Sequence, residues 1–498
     1  MAEIPHPGDA AEISTTPVVI IGAGMSGLCM GIELSRHDIP FVILEKSQDV
    51  GGTWLHNTYP GCACDVPSAL YSYSFAPNPA WSHKWSGQRE ILDYLRRCAQ
   101  SFGVRGNIRF GTTAVEARFD EDDGTWRITC EDGSQLRAQH LVNAAGGLHR
   151  PSYPDIPGRE RFEGITAHTG AWDSSLDLRG KRVAVVGSAA SAVQLVPAVA
   201  GHARSVTVFQ RTPNFIVSRD NYAYSEAQKR RFRRWPWIQR AHRWWFYWRN
   251  EAIFSLLFQP GRVTPPAVER YLRWKMRRAV DDPVLRAKVT PPYRAGCKRI
   301  LVDSDYYAAL QRDNVDLVCA PIEEITPEGL RCGGDTYPAD VLVFATGFEI
   351  WDQRWVGKIY GRGGLSLADA TGDAPRTYLG MSIPHFPNLF ALLGPNTGLG
   401  HSSVVWMMEC QVRYIRRLIM AMRREQLPAL EPRDDVVDRE YLALQRRLAK
   451  MVWATGGCKS WYQAESGEIV ALWPGHTYEY WWKTRRPRLE HYLATRER

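Results

Sequence analysis

Long apolar runs are missing from this 498-residue chain, and no stretch approaches the roughly 18 residues of a membrane-spanning helix. The amino terminus lacks a basic segment followed by an apolar one, so no secretory signal is expected. Cysteine is present ten times but at scattered positions. That excludes a disulfide framework and predicts mostly buried thiols in a reducing, cytoplasmic setting. The pair Cys62-Ala-Cys64 has no partner cluster, so no metal site and no redox pair is expected there. Neither sign of charge dominates: the net charge is +9, with 23% charged and 44% hydrophobic residues. Such a composition suits a globular protein of two or three domains with ample core.

Two glycine-rich turns stand out, and the second lacks what the first has. Val18-Val-Ile-Ile-Gly22-Ala-Gly24-Met-Ser-Gly27 is an apolar run feeding G-x-G-x-x-G and then a helical stretch. This predicts a strand, a tight turn and a helix whose N-terminus receives a pyrophosphate. Eighteen residues past Gly27, the strand Phe41–Leu44 leads into Glu45 and Lys46. A carboxylate there accepts a ribose hydroxyl and repels an added phosphate. The second turn, Val183-Ala-Val-Val-Gly187-Ser188-Ala-Ala190-Ser191-Ala192, has Ala189 at the middle glycine position and Ala192 at the last. Its next strand, Ser205 to Gln210, ends in Arg211-Thr212 where an acid would otherwise stand. A guanidinium and a hydroxyl suit a 2′-phosphate. One site is acidic and the other basic, which reads as FAD in the first and NADPH in the second.

The rest of the chain divides around these turns. Residues 1–16 carry Pro5, Pro7 and Gly8 and are expected to be disordered. The expected FAD domain runs over 17–150, with a helix at Arg89–Phe102 and antiparallel strands turning at Asp122-Asp-Gly124 and Glu131-Asp-Gly133. Pro151-Ser-Tyr-Pro154-Asp-Ile-Pro157-Gly158 marks a boundary to an NADP domain over 151–339. The run Asp340-Val-Leu-Val-Phe-Ala345-Thr346-Gly347 resembles Leu141-Val-Asn-Ala-Ala-Gly146. It is expected to return the chain to the first domain, so that 340–498 completes it. The fold class is therefore α/β, with two Rossmann-like domains, the FAD domain discontinuous and the NADP domain inserted in it.

A helical insert is expected over about 221–290. Within it, Lys229–Arg249 holds eight basic residues and eight aromatics, broken at Pro236 into two helices. The preferred reading packs the aromatics inward while the arginines snorkel outward. The alternatives are weak contact with an anionic membrane surface through 229–249, or nucleic acid, which is not expected as a partner.

Two longer stretches carry a family resemblance. Phe162-Glu-Gly164-Ile-Thr-Ala-His168-Thr-Gly-Ala-Trp172-Asp173 matches F-x-G-x-x-x-H-x-x-x-W-[P/D]. Gly51-Gly52-Thr53-Trp54-Leu-His-Asn-Thr-Tyr59-Pro60-Gly61-Cys-Ala-Cys-Asp65 matches [A/G]-G-x-W-x-x-x-x-[F/Y]-P-[G/M]-x-x-x-D. Together they resemble the type I Baeyer–Villiger monooxygenases, from Val18 to Trp473-Pro474.

The resemblance implies an FAD- and NADPH-dependent enzyme that inserts one atom of dioxygen beside the carbonyl of a small hydrophobic ketone or aldehyde, giving an ester or lactone. In such chemistry an oxygen adduct of the reduced flavin must stay deprotonated and dry, and a permanent cation beside it stabilises the anion. Arg299 of Cys297-Lys298-Arg299-Ile300 lies where the family keeps that cation, with Asp65 pairing to it. Lys298 joins Arg211 and Thr212 on the 2′-phosphate. Further cofactor contacts are expected from Gly52, Thr53, Trp54, Tyr59, Tyr71, Ala345, Thr346, Gly347, Asn396 and Gly398. His168 is expected at the interdomain linker, governing movement with Phe162, Gly164 and Trp172 rather than acting as a base. Leu399, His401 and Trp461 are expected near substrate. Competing readings are an N- or S-oxygenating flavin-containing monooxygenase, a disulfide reductase using Cys62 and Cys64, and a nucleotide-binding protein without turnover associated with membrane or nucleic acid.

Overall fold

A computed structural model describes residues 14–259, 264–350 and 358–495. The first sheet is built on the strand Ser14–Ile21, whose Val18, Val19 and Ile20 are completely buried. It pairs in parallel with Phe41–Leu44 on one side and Gln135–Asn143 on the other. The antiparallel strands Ala114–Asp120 and Thr125–Cys130 extend this sheet beyond Gln135–Asn143, as the two Asp-Gly turns require. The helix Met25–Ser35 follows the first turn and the helix Gln88–Ser101 packs beside it. Most of the expected disordered segment lies outside the described residues. Ser14, Thr15 and Thr16, however, already belong to the first strand, facing Leu136, Arg137 and Ala138.

The second sheet has five parallel strands in the order Val315–Val318, Ser205–Phe209, Arg182–Val186, Val341–Phe344, Ile165–His168. This corrects the boundary expected at residue 340. Val341–Phe344 does not return to the first sheet; it is a fully buried inner strand of the second. Among the described residues the chain rejoins the first sheet at Ile359–Tyr360, beside Ala114–Asp120, and at Leu389–Ala391, beside Gln135–Asn143. Both Leu141–Gly146 and Val341–Gly347 are apolar parallel strands ending in a turn, and buried strands of that kind carry no mark of the sheet they enter. Each abuts the glycine turn of its own domain. A Cβ on Gly22 would lie 2.8 Å from the Ala144 carbonyl oxygen, and one on Gly187 would lie 2.5 Å from that of Ala345.

The insert is helical as expected, with Glu226–Arg234, Pro236–Leu257, Thr264–Ala279 and Pro283–Val289. Pro236 occupies the first turn of the second helix, where its missing N–H costs nothing. The inward packing expected of the aromatics is corrected. Trp235, Trp237, Trp244, Trp245 and Trp248 are all exposed, whereas Phe246 and Tyr247 are buried. An arginine goes inward in their place. Arg243 Nη1 donates to the carbonyls of Ala69, Leu70 and Ser72, fastening the insert to a loop of the first domain. Periodicity alone did not separate the two faces because aromatics lie on both.

Replacing Arg243 by Met keeps the aliphatic stem but removes the guanidinium donor shared by three carbonyls, of which Ala69 retains the Ser72 hydroxyl. The expected cost is about 2 kcal/mol or more in unfolding free energy, read by urea denaturation.

Candidate active site at the domain junction

The two glycine turns end in helices whose first N–H groups have no side-chain cap, at Gly24 before Met25–Ser35 and at Ala189 before Ala190–Ala200. Such uncapped N-termini suit phosphate. In the first turn a Cβ on Gly27 would lie 1.8 Å from the Gly22 carbonyl oxygen, so no side chain fits. Glu45 is buried at this turn; its carboxylate accepts from Ala23 N at 2.7 Å and Ser47 N at 2.8 Å. Lys46 beside it is exposed.

The Gly51-Gly52 motif folds directly onto this turn. Gly51 N donates to the Ala23 carbonyl, and a Cβ on Gly52 (φ 53°) would meet Gly24 Cα at 2.9 Å. Only glycine allows both the left-handed backbone and that approach. The short helix Thr53–His56 follows, and Trp54 Nε1 donates to the Tyr71 hydroxyl at 3.2 Å with the rings edge to face. Thr53, Trp54 and Tyr71 thus sit beside the first turn. Tyr59, expected at the cofactor, lies against the helix of the second turn, beside Ser191. Its hydroxyl donates to Gln194 Oε1 at 2.9 Å, and its ring packs in the second domain's core. Gly61 approaches the Gln194 carbonyl so closely that a Cβ would lie 2.4 Å away. This half of the motif docks one domain on the other.

At the second turn, Ser188 Oγ donates to the Thr212 carbonyl at 3.2 Å, drawing the Arg211-Thr212 loop against Gly187 and Ser188. Ala190 and Ser191 open the helix; Ala189 is exposed at its cap, and Ala192 is fully buried. Lys298 faces the same place. Burial first, and then the Arg211 guanidinium, push its ammonium below the usual lysine value. Two cations close enough to feel each other suit a multiply charged anion.

Between the turns lies the ion pair expected from the sequence. Arg299 Nε donates to Asp65 Oδ2 at 2.6 Å and its Nη1 donates to the Leu399 carbonyl at 3.1 Å. Burial works against the Asp65 charge, but Arg299 outweighs it and holds the carboxyl below its usual range. Asp65 in turn raises the arginine further above its ordinary value. The side chains remain 26% and 33% exposed, so a small molecule can reach the pair.

Tyr462 is not among the site residues expected from the sequence, yet its buried hydroxyl feels the Arg299 charge. Burial pushes it up to about 12, with Arg299 opposing, so it stays protonated at neutral pH. Trp461, expected near substrate, is exposed and stacks at a tilt on Tyr462. Asn396 donates its amide to the carbonyls of Ile469 and Leu472, and Gly398 N donates to Ala471. These bonds tie the turn before Leu399 to the carboxy-terminal segment.

His401 is corrected from a substrate-lining position. Its side chain has no exposed surface, lying 3.6 Å from the buried Glu251 and against Phe254. Glu251 also accepts from His476 Nδ1 at 2.8 Å and from Thr477 Oγ1 at 2.6 Å. The alternation of residues around Gly398 and Gly400 does not disclose such closure.

His168 ends the strand Ile165–His168. Its Nδ1 accepts from Gly170 N, its Nε2 lies 3.4 Å from Thr346 Oγ1, and Thr346 donates to the Ser152 carbonyl. Ser152 N donates to Gly347, so the two chain crossings between domains run side by side over this histidine. Phe162 packs against Ile325 and Leu330 of the antiparallel strands Ile322–Thr326 and Gly329–Cys332, Gly164 closes on the Asp340 carbonyl, and the Trp172 carbonyl accepts from Thr58.

The cysteine expectation is corrected at one place. Cys297 and Cys458 form a disulfide across 161 residues, next to Lys298-Arg299 and to the Trp461 segment. A separation that long carries no signal in spacing. Cys62 and Cys64 are free; burial pushes the Cys62 thiol up to about 12 and raises Cys64 as well. Neither is suited to disulfide exchange at neutral pH.

Paired uncapped turns, one beside an acid and one beside two cations, define a two-dinucleotide oxidoreductase. Residues 19–234 match the family model described as pyridine nucleotide-disulphide oxidoreductase. A Baeyer–Villiger monooxygenase of Pseudomonas aeruginosa is 40% identical over 480 residues, spanning 94% of this chain and 89% of that protein. The crystal structure of OTEMO in complex with FAD and NADP is similar with a TM-score of 0.86 at 27% identity, covering 96% of this chain and 99% of that one. Cyclohexanone monooxygenase from Rhodococcus sp. Phi1 bound to NADP+ also gives 0.86, at 28% identity, over 95% and 97% of the two chains. The chain belongs to the Baeyer–Villiger monooxygenase family. This bears out the expected α/β class with two Rossmann-like domains. It also favours the ketone-oxygenating reading over the heteroatom-oxygenating and non-catalytic ones.

The Glu251 cluster makes acid stability testable. Burial opposes its charge, but His401, His476 and Thr477 hold the carboxyl down at about 2, against an ordinary value of 4.5. A depressed acid stabilises fully above the ordinary value and loses that contribution as pH falls from about 4.5 towards 2, by about 3 kcal/mol for one such group. Glu251→Gln should flatten this limb of the stability profile, read by urea denaturation from pH 7 downwards.

Proposed function

We propose that this chain is an FAD- and NADPH-dependent monooxygenase that inserts one oxygen atom of dioxygen beside the carbonyl of a small hydrophobic ketone, yielding an ester or lactone. The observation that carries the reading is Arg299, clamped by Asp65 and the Leu399 carbonyl, open on one side, between two dinucleotide turns. The first turn, with Glu45, would hold FAD through Gly22, Gly24 and Gly27; the flavin, when bound, supplies the activation of oxygen. The second turn, with Arg211, Thr212 and Lys298, would hold NADPH by its 2′-phosphate. The cytoplasm, where both cofactors are available in a reducing setting, is the proposed location. Among the described residues no helix is long and apolar enough to cross a membrane.

The protein's part is electrostatic and positional. Arg299 keeps its charge at every working pH, so it stabilises negative charge on oxygen without surrendering a proton to it. Asp65 fixes the guanidinium plane by the Nε bond and leaves Nη2 outside the bonds to Asp65 and Leu399. Tyr462, protonated beside it, adds a neutral donor. Family relatives named for cyclohexanone and steroid oxidation share the fold, which supports a hydrophobic carbonyl compound as the substrate class.

Arg299→Ala should lower ester formation about a hundredfold or more while the holoenzyme still oxidises NADPH, now releasing hydrogen peroxide. Product analysis under labelled dioxygen, with peroxide assayed in parallel, reads both. Sulfide or amine oxidation at the parent rate without ketone oxidation in the parent would instead favour a heteroatom oxygenase. Lys298→Ala and Arg211→Ala should each raise KM for NADPH about tenfold to a hundredfold, with little change for NADH. Steady-state kinetics with both nucleotides checks this.

A further inference from the structure

The helix Pro236–Leu257 buries one face, through Gln239, Phe246, Tyr247, Asn250, Glu251 and Phe254, and leaves the opposite face open. Positions 237, 241, 245, 248, 252 and 256 succeed one another at helical spacing and are all exposed. They read Trp, Ala, Trp, Trp, Ala, Leu, without one charge. Trp237 and Trp245 are each 65% exposed and Trp248 is 55% exposed. The surface continues onto the helix Thr477–Thr484: Trp248 and Tyr478 approach to 6.3 Å between ring centroids, and Trp481 and Trp482 are exposed beyond.

Cations flank this row. The preceding helix Glu226–Arg234 exposes Arg230, Arg231, Arg233 and Arg234, and its one acid, Glu226, is paired with Lys229. At the other end Arg485 lies over the Trp482 ring and Arg486 is exposed. An indole combines an apolar body with an N–H donor and suits the boundary between headgroups and acyl chains. Rows of exposed tryptophan rimmed by arginine match an anionic bilayer in both apolarity and charge. A nucleic-acid channel would need cations interleaved along the row to follow the phosphates. A second copy docking the same patch on itself would bring both basic rims together.

We propose that the face formed by the helices Pro236–Leu257 and Thr477–Thr484 seats the protein on an anionic lipid surface. The tryptophans enter the headgroup boundary and the arginines of Glu226–Arg234 contact the anionic headgroups. The protein lies on the bilayer without spanning it.

Flotation of the holoenzyme with lipid vesicles tests this. The protein is expected to float with phosphatidylcholine vesicles containing about one third phosphatidylglycerol, and not with phosphatidylcholine alone; raising salt from about 0.1 to 0.5 M should weaken binding about tenfold. Trp237→Ser/Trp245→Ser/Trp248→Ser should bind at least about tenfold more weakly while keeping NADPH oxidation and its thermal unfolding curve. Arg230→Glu/Arg231→Glu/Arg234→Glu should lose the preference for anionic vesicles. No flotation with either vesicle, equal flotation with both, or variants that float like the parent would overturn the proposal. So would a parent dimer that the tryptophan variant converts to monomer without any vesicle binding, which would make a second copy the occupant.

Discussion

The Asp65–Arg299 ion pair is the constraint around which the rest of the molecule is arranged. Asp65 comes from the loop that follows the first dinucleotide turn, and Arg299 from the segment between the helical insert and the strand Val315–Val318 of the second sheet. Leu399, from the returning part of the chain, supplies the second contact. One guanidinium therefore reports the positions of three separate segments. Breaking such a pair leaves a charge without its partner, which is why half-buried pairs hold geometry more firmly than exposed ones.

Several contacts serve that geometry without touching it. The Tyr59–Gln194 bond and the close approach of Gly61 set the first domain's loop on the second domain's helix. The Cys297–Cys458 disulfide fixes the segment carrying Lys298 and Arg299 to the carboxy-terminal stretch that brings Tyr462. His168 lies under both chain crossings, its Nδ1 accepting from Gly170 N and its Nε2 3.4 Å from Thr346 Oγ1. Arg243 does for the insert what Tyr59 does for the motif loop, by satisfying carbonyls of another segment.

The legible parts of the sequence were those where local geometry demands a residue type. Gly27 has no room for a Cβ, Gly52 needs a left-handed backbone, and Arg211-Thr212 stands where an acid is otherwise placed. These positions carried the two nucleotide sites; the long motif over 51–65 carried Asp65, and the family resemblance carried Arg299. What was not legible depended on partners distant in the chain. The strand Val341–Phe344 is as apolar as any inner strand, so its sheet could not be read from it. Tyr59 sits in a cofactor motif but spends its hydroxyl on Gln194, 135 residues away. The tryptophans of the insert were expected inside because large apolar side chains usually are, and a basic neighbour such as Arg243 was expected outside. Burial of a cation against three carbonyls reversed both.

A double-mutant cycle on Asp65→Asn and Arg299→Lys, read as kcat for ketone oxygenation by the FAD-loaded enzyme, tests the central role of the pair most directly. Strong non-additivity is expected, with the double variant losing little more activity than either single one. Losses that simply multiply would mean that the two residues act independently, and the ion pair would then be a neighbour of the chemistry and not its positioning element.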